Sequence, residues 1–201
     1  MMQTAPFTLP AHLPVAVAAV REALARHGVI ALPTETFYGL AVDPRDAAAV
    51  ARVFALKGRE AGKALLVVAA SVAQVGELAD LDASRAAALA GAWPAPLTVV
   101  LPVRRPLAAV GGTVAVRVPE HALLRSLLAR VGPLTATSAN RSGAPPATTA
   151  GEVAAALADE VDLLLDGGPT PGGLPSTLIE WTGERPYVLR PGAFPLPPSW
   201  C

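Results

Sequence analysis

The sequence predicts an α/β protein with a mixed, twisted β-sheet flanked by helices. In the first half of the chain, segments with helical periodicity alternate with short aliphatic runs. In the second half the strand-like runs cluster, which indicates a mixed sheet instead of a purely parallel one. Of the 201 residues, 52% are hydrophobic, enough to build a sizeable core, and only 4% are aromatic. Alanine, valine and leucine must therefore fill most of the interior.

The first helix and strand are defined by a change of periodicity near residue 28. Apolar residues recur every three or four positions from Val17 to Leu24, which is typical of an amphipathic helix, and Gly28 suits its C-terminal cap. Residues 29–32 form a β-branched and aliphatic run that predicts a buried strand. Residues 34–36 then lie in the loop at its carboxyl end.

A second helix and strand follow. Asp46 is a good N-cap for a helix that ends near Lys57, and residues 65–69 predict the next strand.

The second half of the chain contains six strand-like runs and two further helices. Strands are predicted over residues 97–103, 113–118, 134–137, 163–165, 177–181 and 187–189. Helices are predicted over residues 122–131 and from Thr149 through about Ala158, where Thr149 and Glu152 have the spacing of a capping box.

Composition narrows the classes of function. Lys and Arg number 16 and Asp and Glu also 16, so the net charge of zero argues against a protein coated with basic charge for nucleic acid, although a local basic cavity is compatible with it. The single cysteine, Cys201, has no intramolecular partner, which favours a cytoplasmic location. We expect no membrane span and no secretion signal. His12, His27 and His121 lack metal-like spacing, so no metal site is predicted.

The first candidate site is a group of cations around residue 58. Residues 58–64 (GREAGKA) superficially resemble a phosphate-binding P-loop, but the loop is one residue too short and Ala64 replaces the Ser or Thr that would hold magnesium. Lys57, Arg59 and Lys63 can still bind a triphosphate as charges. The alternative is a solvated basic helix end that interacts with the helix dipole.

Two groups of polar residues follow predicted strands. Thr34 and Thr36 have hydroxyls that could orient a small zwitterion, or the loop could satisfy its own backbone instead. Ser138, Asn140 and Ser142 could contact phosphates or a carboxylate, although such residues are also common in turns.

Arg117 stands alone in an apolar run at the end of a predicted strand. It is either a charge on an edge strand or a buried guanidinium, and a buried guanidinium requires an anionic partner.

Taken together, these segments resemble the YrdC-like threonylcarbamoyl-AMP synthases. The similarity runs in order from about residue 15 to 192, and six co-linear motifs are far more specific than any one of them. The matching segments are residues 33–40 (PTETFYGL), 57–59 (KGR) with Lys63, 93–98 (WPAPLT), 116–119 (VRVP), 138–143 (SANRSG), and, in the tail, 165–168 (LDGG), 176–177 (ST) and 189–192 (LRPG).

The resemblance implies a fold and a reaction. The fold would be a single YrdC-like domain over residues 1–201, with a core from about 12 to 192, a concave basic cavity and no additional C-terminal domain. The reaction would convert L-threonine, bicarbonate and ATP to threonylcarbamoyl-AMP and pyrophosphate. A separate transferase system would then modify the adenosine beside the tRNA anticodon. Magnesium would arrive with ATP, and no tightly bound cofactor is expected.

The resemblance also implies roles for individual residues. The expected catalytic residues are Lys57, Arg59 and Lys63. The expected ATP-binding residues are Arg59, Lys63, Ser138, Asn140, Ser142, Thr148 and Arg190. The expected threonine-binding residues are Thr34, Thr36, Arg117 and Ser176.

Several positions depart from the family pattern, namely Ala41, Ala64, Ala95, Thr137 and Pro175. Pro175 precedes Ser176 where many members have Glu, so the threonine pocket could differ in detail. Two alternatives stay open at this point. One is an RNA-binding module of the same fold without catalysis, and the other is a paralogue that uses a different carbamoyl or acyl-adenylate substrate.

Overall fold

Two mixed β-sheets, and not the single sheet predicted, organise the chain, and the mixed α/β class is confirmed. A computed structural model describes residues 2–58, 65–109 and 111–200. Within them the helices are α1 (Leu13–Ala25), α2 (Ala47–Lys57), α3 (Val72–Gly76), α4 (Ala83–Ala92), α5 (Ala122–Val131) and α6 (Ala150–Leu157). The strands are β1 (Gln3–Pro6), β2 (Ile30–Pro33), β3 (Tyr38–Ala41), β4 (Leu66–Val68), β5 (Leu97–Pro102), β6 (Thr113–Arg117), β7 (Leu134–Thr135), β8 (Thr137–Ser138), β9 (Leu163–Asp166), β10 (Thr177–Glu180) and β11 (Tyr187–Arg190).

The first sheet has the strand order β1-β9-β2-β3-β8 and is covered on both faces. Because side chains alternate along a strand, Ile30 and Leu32 pack with α1 and α5, whereas Ala31 packs with α2 and α6. A central strand buried on both faces should read as a continuous apolar run. This explains why residues 29–32 are uniformly apolar.

The second sheet has the strand order β11-β10-β5-β6-β4-β7 and buries one face in a separate core. On that face Leu97, Val99 and Val116 pack with α4 and the C-terminal segment. The intervening residues of β5 and β6, such as Thr98 and Arg117, point to the opposite face. That opposite face of the sheet lines the cavity described below.

Two predicted helix caps form as expected. The Asp46 carboxylate accepts hydrogen bonds from the backbone N–H groups of Ala48 and Ala49 at the start of α2. Thr149 and Glu152 form a reciprocal capping box at the start of α6.

The predicted cap at Gly28 is wrong in detail. His27, with φ of 56°, takes the left-handed conformation after α1. Gly28 lies next to the preceding turn, where a Cβ would come within 2.7 Å of the Ala23 carbonyl oxygen. This position therefore needs glycine for close backbone approach and not for a positive φ.

None of the helices formed by residues 2–58, 65–109 and 111–200 has the length and apolar character that crossing a bilayer requires.

Candidate active site

A cavity of about 380 Å³ lies between the two sheets. Strands β3 and β8 of the first sheet contribute to it, as do β4, β5, β6, β10 and β11 of the second. Six of the predicted site residues line this cavity, although they are spread over more than 150 positions of the sequence. They are Thr34, Thr36, Arg117, Ser138, Ser176 and Arg190.

Arg117 is a buried cation on the wall of this cavity. Strand β6 lies between β5 and β4, so the edge-strand interpretation is wrong. The residue is 3% exposed, and its Nη1 lies 3.3 Å from Oε1 of Glu35, the anionic partner that burial demands. Burial lowers the pKa of Arg117, Glu35 opposes this shift, and nearby Arg190 adds to it. Two guanidinium groups on one cavity wall favour an anionic ligand.

The loop after β2 is organised around the hydroxyl of Thr34. Its Oγ1 donates to the Phe37 carbonyl oxygen at 2.7 Å and accepts from the backbone N–H groups of Thr36 and Phe37. The Thr36 hydroxyl lies 3.1 Å from the same atom. Thr34 thus satisfies its own loop, the alternative that the sequence left open. Its role in binding threonine stays a prediction, and Thr36 has the hydroxyl with more bonding capacity left.

Lys57 joins the two polar clusters that lie about eighty residues apart in sequence. It is 4% exposed, and its Nζ donates to the carbonyl oxygen and Oγ of Ser138 at 2.8 and 3.2 Å. It also donates to Oδ1 of Asn140 at 2.5 Å. Ser138 Oγ donates to Asn140 Oδ1 as well, at 2.7 Å. The ammonium therefore fixes the loop after β8, and the interpretation as a solvated helix end is wrong for Lys57.

Three predicted ATP-binding residues do not line the cavity. Asn140 bonds to Lys57 and donates to the Ala144 carbonyl oxygen. Ser142 is exposed in the following turn. Thr148 bonds to Glu152 through its hydroxyl, at 3.1 Å. Their contact with nucleotide stays a prediction, and the predicted roles of Arg59 and Lys63 lie outside the described residues.

Thr98 is a cavity residue that the sequence did not single out. It is 3% exposed, and its hydroxyl lies 2.8 Å from the hydroxyl of Ser176. Either hydroxyl can donate. Strands β5 and β10 run parallel with Thr98 opposite Leu178, which brings the two hydroxyls together. The available signal was its place at the end of the motif over residues 93–98 (WPAPLT), where Thr98 is the polar member of an apolar strand.

The end of β11 and the turn that follows it pack against the backbone of Ser176. Nη2 of Arg190 donates to the Ser176 carbonyl oxygen at 3.0 Å. A Cβ on Gly192 would overlap the backbone of Pro175, Ser176 and Thr177. Glycine is therefore required where this turn packs against the cavity wall.

A second cavity, of about 270 Å³, lies on the other side of the Thr34 loop. Thr34 lines both cavities, and Glu35, Glu120 and His121 line the second. Burial lowers the pKa of His121, and Glu35 opposes that shift. The His121 ring stacks on Phe7, and its Nδ1 accepts from the N–H of Leu124 at the start of α5.

No three His, Cys, Asp or Glu side chains converge as metal ligands within residues 2–58, 65–109 and 111–200. The prediction that the protein has no metal site of its own stays a prediction.

The fold and the cavity define a class: an α/β protein with two mixed sheets and, between them, a cavity lined by guanidinium and hydroxyl groups. The chain belongs to the Sua5/YciO/YrdC family, described as "Telomere recombination", whose pattern it matches over residues 22–192. This confirms the family that the sequence motifs indicated.

Several proteins similar to this chain are named threonylcarbamoyl-AMP synthases. The chain is 42% identical to the threonylcarbamoyl-AMP synthase of Pyrococcus abyssi over 174 residues, covering 84% of this chain and 51% of that protein. It is 45% identical to the threonylcarbamoyl-AMP synthase of Chromohalobacter salexigens over 162 residues, covering 78% and 87% respectively. The crystal structure of P. abyssi Sua5 complexed with L-threonine superposes with a TM-score of 0.84 at 36% identity, covering 98% of this chain and 58% of that one. The chain thus spans about half the length of the P. abyssi relative.

Proposed function

We propose that this protein is an L-threonylcarbamoyladenylate synthase, a nucleotidyltransferase that forms threonylcarbamoyl-AMP and pyrophosphate from L-threonine, bicarbonate and ATP. The observation that carries the proposal is the convergence of Arg117, Arg190 and the hydroxyls of Thr36, Ser138 and Ser176 on one cavity. Membership of a family whose relatives bear this name supports it. The P. abyssi relative crystallised with L-threonine supports the amino acid substrate.

The reaction has two chemical steps. The threonine amine and bicarbonate form a carbamate and release water. A carbamate oxygen then attacks the α-phosphorus of ATP, and the bond to the β-phosphate oxygen breaks to release pyrophosphate. The carbamate is labile in water, so a site between two sheets that orients the reactants and limits water access suits it.

In this proposal the cavity residues divide between threonine and ATP. Arg117, with Thr36 and Ser176, is proposed to bind the carboxylate and hydroxyl of threonine. Ser138 and Arg190 are proposed to contact the nucleotide, and Lys57 fixes the loop that carries Ser138. Arg59 and Lys63, outside the described residues, are proposed to neutralise the leaving pyrophosphate. Magnesium would enter bound to the phosphate oxygens of ATP.

The product would pass to a transferase system that places the threonylcarbamoyl group on tRNA, beside the anticodon. We propose that this reaction takes place in the cytoplasm, where its substrates ATP, bicarbonate and L-threonine are present.

The test is pyrophosphate release from ATP and bicarbonate, with and without L-threonine and with serine and glycine as controls. Threonine-dependent release is expected. Release that shows no amino acid selectivity would point to the paralogue, and no release would contradict the proposal. Arg59→Ala should lower the rate about a hundredfold, since one charge contact to a transition state contributes on the order of 3 kcal/mol. Arg26→Gln is a matched surface control, because Arg26 pairs only with exposed Glu22 among the described ion pairs.

A further inference from the structure

The ion pair between Arg117 and Glu35 contains no hydrogen bond. Nη1 of Arg117 approaches Oε1 of Glu35 at 3.3 Å, and the two side chains are 4% and 10% exposed. Nε of Arg117 and both carboxylate oxygens of Glu35 are buried without a hydrogen-bond partner among the described residues. Buried polar groups in folded proteins are nearly always bonded, so these three atoms require an explanation.

The two members of the pair face different cavities. Arg117 lines the 380 Å³ cavity, where the substrates are proposed to bind. Glu35 lines the 270 Å³ cavity on the far side of the Thr34 loop. The guanidinium thus has the substrate cavity on one side and its carboxylate partner on the other.

Glu35 is the carboxylate that pairs with Arg117 within residues 2–58, 65–109 and 111–200. Its Oε1 lies within ion-pair distance of Nη1, and Nε has no hydrogen-bond acceptor among the described residues. A guanidinium has five N–H donors in a fixed planar fork, so holding one nitrogen fixes the direction of the others. A carboxylate held at ion-pair distance from Nη1 therefore constrains the orientation of the whole guanidinium.

We propose that Glu35 is a positioning residue, whose charge holds the Arg117 guanidinium from the side of the second cavity and keeps it oriented toward the substrate cavity, where it binds the carboxylate of the amino acid substrate. This inference rests on the proposed function and deepens it. Glu35 itself touches no substrate, and it acts through the orientation of Arg117.

The second cavity determines whether truncation of Glu35 weakens or strengthens threonine binding. If the Glu35 side chain is truncated, the guanidinium gains open space in that cavity and can turn toward water there. The affinity for L-threonine then falls because the Arg117 guanidinium no longer points into the substrate cavity. If Arg117 were instead rigid without Glu35, removal of a like charge would strengthen carboxylate binding. The two models thus predict opposite changes.

The experiment compares Glu35→Ala and Glu35→Gln by steady-state pyrophosphate release. Glu35→Ala should raise the KM for L-threonine about tenfold or more while the KM for ATP and kcat change by less than about threefold. Glu35→Gln keeps an acceptor oxygen of the same shape and should limit the rise to about threefold. Glu120→Ala, at an exposed residue that lines the same second cavity, is the matched control and should behave as the wild type.

A double-mutant cycle tests whether Glu35 acts through Arg117. In an Arg117→Gln background, Glu35→Ala should change the threonine KM by less than about twofold, because the residue it positions is gone. Additive effects would overturn the proposal. A lowered or unchanged threonine KM in Glu35→Ala would do the same, as would an equal rise in the KM values of threonine and ATP.

Folding of each variant is checked by thermal unfolding, and if Glu35→Ala does not fold, the threonine KM of Glu35→Gln decides. A wild-type protein without threonine-dependent release would refute the proposed function. An active wild type whose Glu35 variants behave normally would refute the positioning role alone.

Discussion

At the scale of single residues, Arg117 combines burial, charge and access to the cavity. Its guanidinium is almost entirely removed from solvent, and burial lowers its pKa. The cost of burying this charge is offset by Glu35 and, in our account, by the carboxylate of the substrate. A well-packed apolar side chain would stabilise the fold at least as well, which supports our proposal that Arg117 serves substrate recognition.

Arg117→Lys should raise the KM for L-threonine about tenfold or more, because lysine cannot reproduce the planar fork that binds a carboxylate. The KM for ATP should change little. The measurement is initial-rate kinetics with each substrate varied in turn, and Arg26→Lys at the surface serves as the matched control. A proportional rise in both KM values would indicate damage to the whole cavity.

Thr98→Val should raise the threonine KM about fivefold, since a single hydrogen bond contributes about 1 kcal/mol. Valine keeps the shape of threonine but leaves the Ser176 hydroxyl without its partner at 2.8 Å. Thr4→Val, at an exposed position of edge strand β1, is the control. Unchanged kinetics in Thr98→Val would show that this hydroxyl pair does not orient Ser176.

Six of the residues that line the cavity could be predicted from the sequence, but their contacts could not. Thr34, Arg117, Ser138 and Ser176 belong to recognisable motifs. The pairing of Arg117 with Glu35 depends on the approach of two sheets, which no local pattern encodes. Thr98 was missed because one hydroxyl in an apolar strand is also common where no ligand binds.

At the scale of elements, helix α2 links a stable cap to the candidate site. It begins at the Asp46 cap and ends at Lys57, whose ammonium fixes the loop after β8. Asp46 also lies 2.5 Å from Nδ1 of His27, and this hydrogen bond is the main reason that the pKa of Asp46 is lowered.

Asp46→Ala should lower the free energy of unfolding by about 1 kcal/mol at neutral pH, the usual cost of losing an N-cap. The folded-state pKa of Asp46 lies below its ordinary value of 3.8. Its stabilising contribution is therefore fully present above that value and is lost as pH falls through the folded-state pKa. Urea unfolding at a series of pH values should show the difference between wild type and variant narrowing below pH 3.8.

The control for Asp46→Ala is Asp80→Ala, which removes a carboxylate from an exposed residue outside the helices. A difference between wild type and Asp46→Ala that stayed constant down to the lowest pH would contradict the role of the ionised carboxylate.

Two capped helices were predicted well, whereas α4, which also begins at an N-cap, and short strands such as β3 were not assigned. Helix α2 and the capping box of α6 were confirmed because their signals are local. Strand β3 was missed because residues 38–41 follow a loop and contain a glycine. The predicted strand over residues 134–137 is divided between β7 and β8, which belong to different sheets.

At the scale of the whole molecule, the cavity lies between two sheets, whereas the sequence predicted a single sheet. Both faces of the first sheet and one face of the second pack against cores, and the cavity lies where β3 and β8 meet the other face of the second sheet. The division into two sheets was not predictable, because strand pairing depends on contacts between distant segments. Sequence motifs nevertheless identified the family, because several of them contain residues that line this cavity.

The measurement that tests the account most directly is mass spectrometry of the nucleotide product formed from ¹³C-bicarbonate, ATP and L-threonine. We expect a threonylcarbamoyl-AMP species that carries one ¹³C atom, requires all three substrates and is strongly reduced in Arg117→Lys. AMP and pyrophosphate without a labelled adduct, or a labelled adduct formed equally well by Arg117→Lys, would contradict the account.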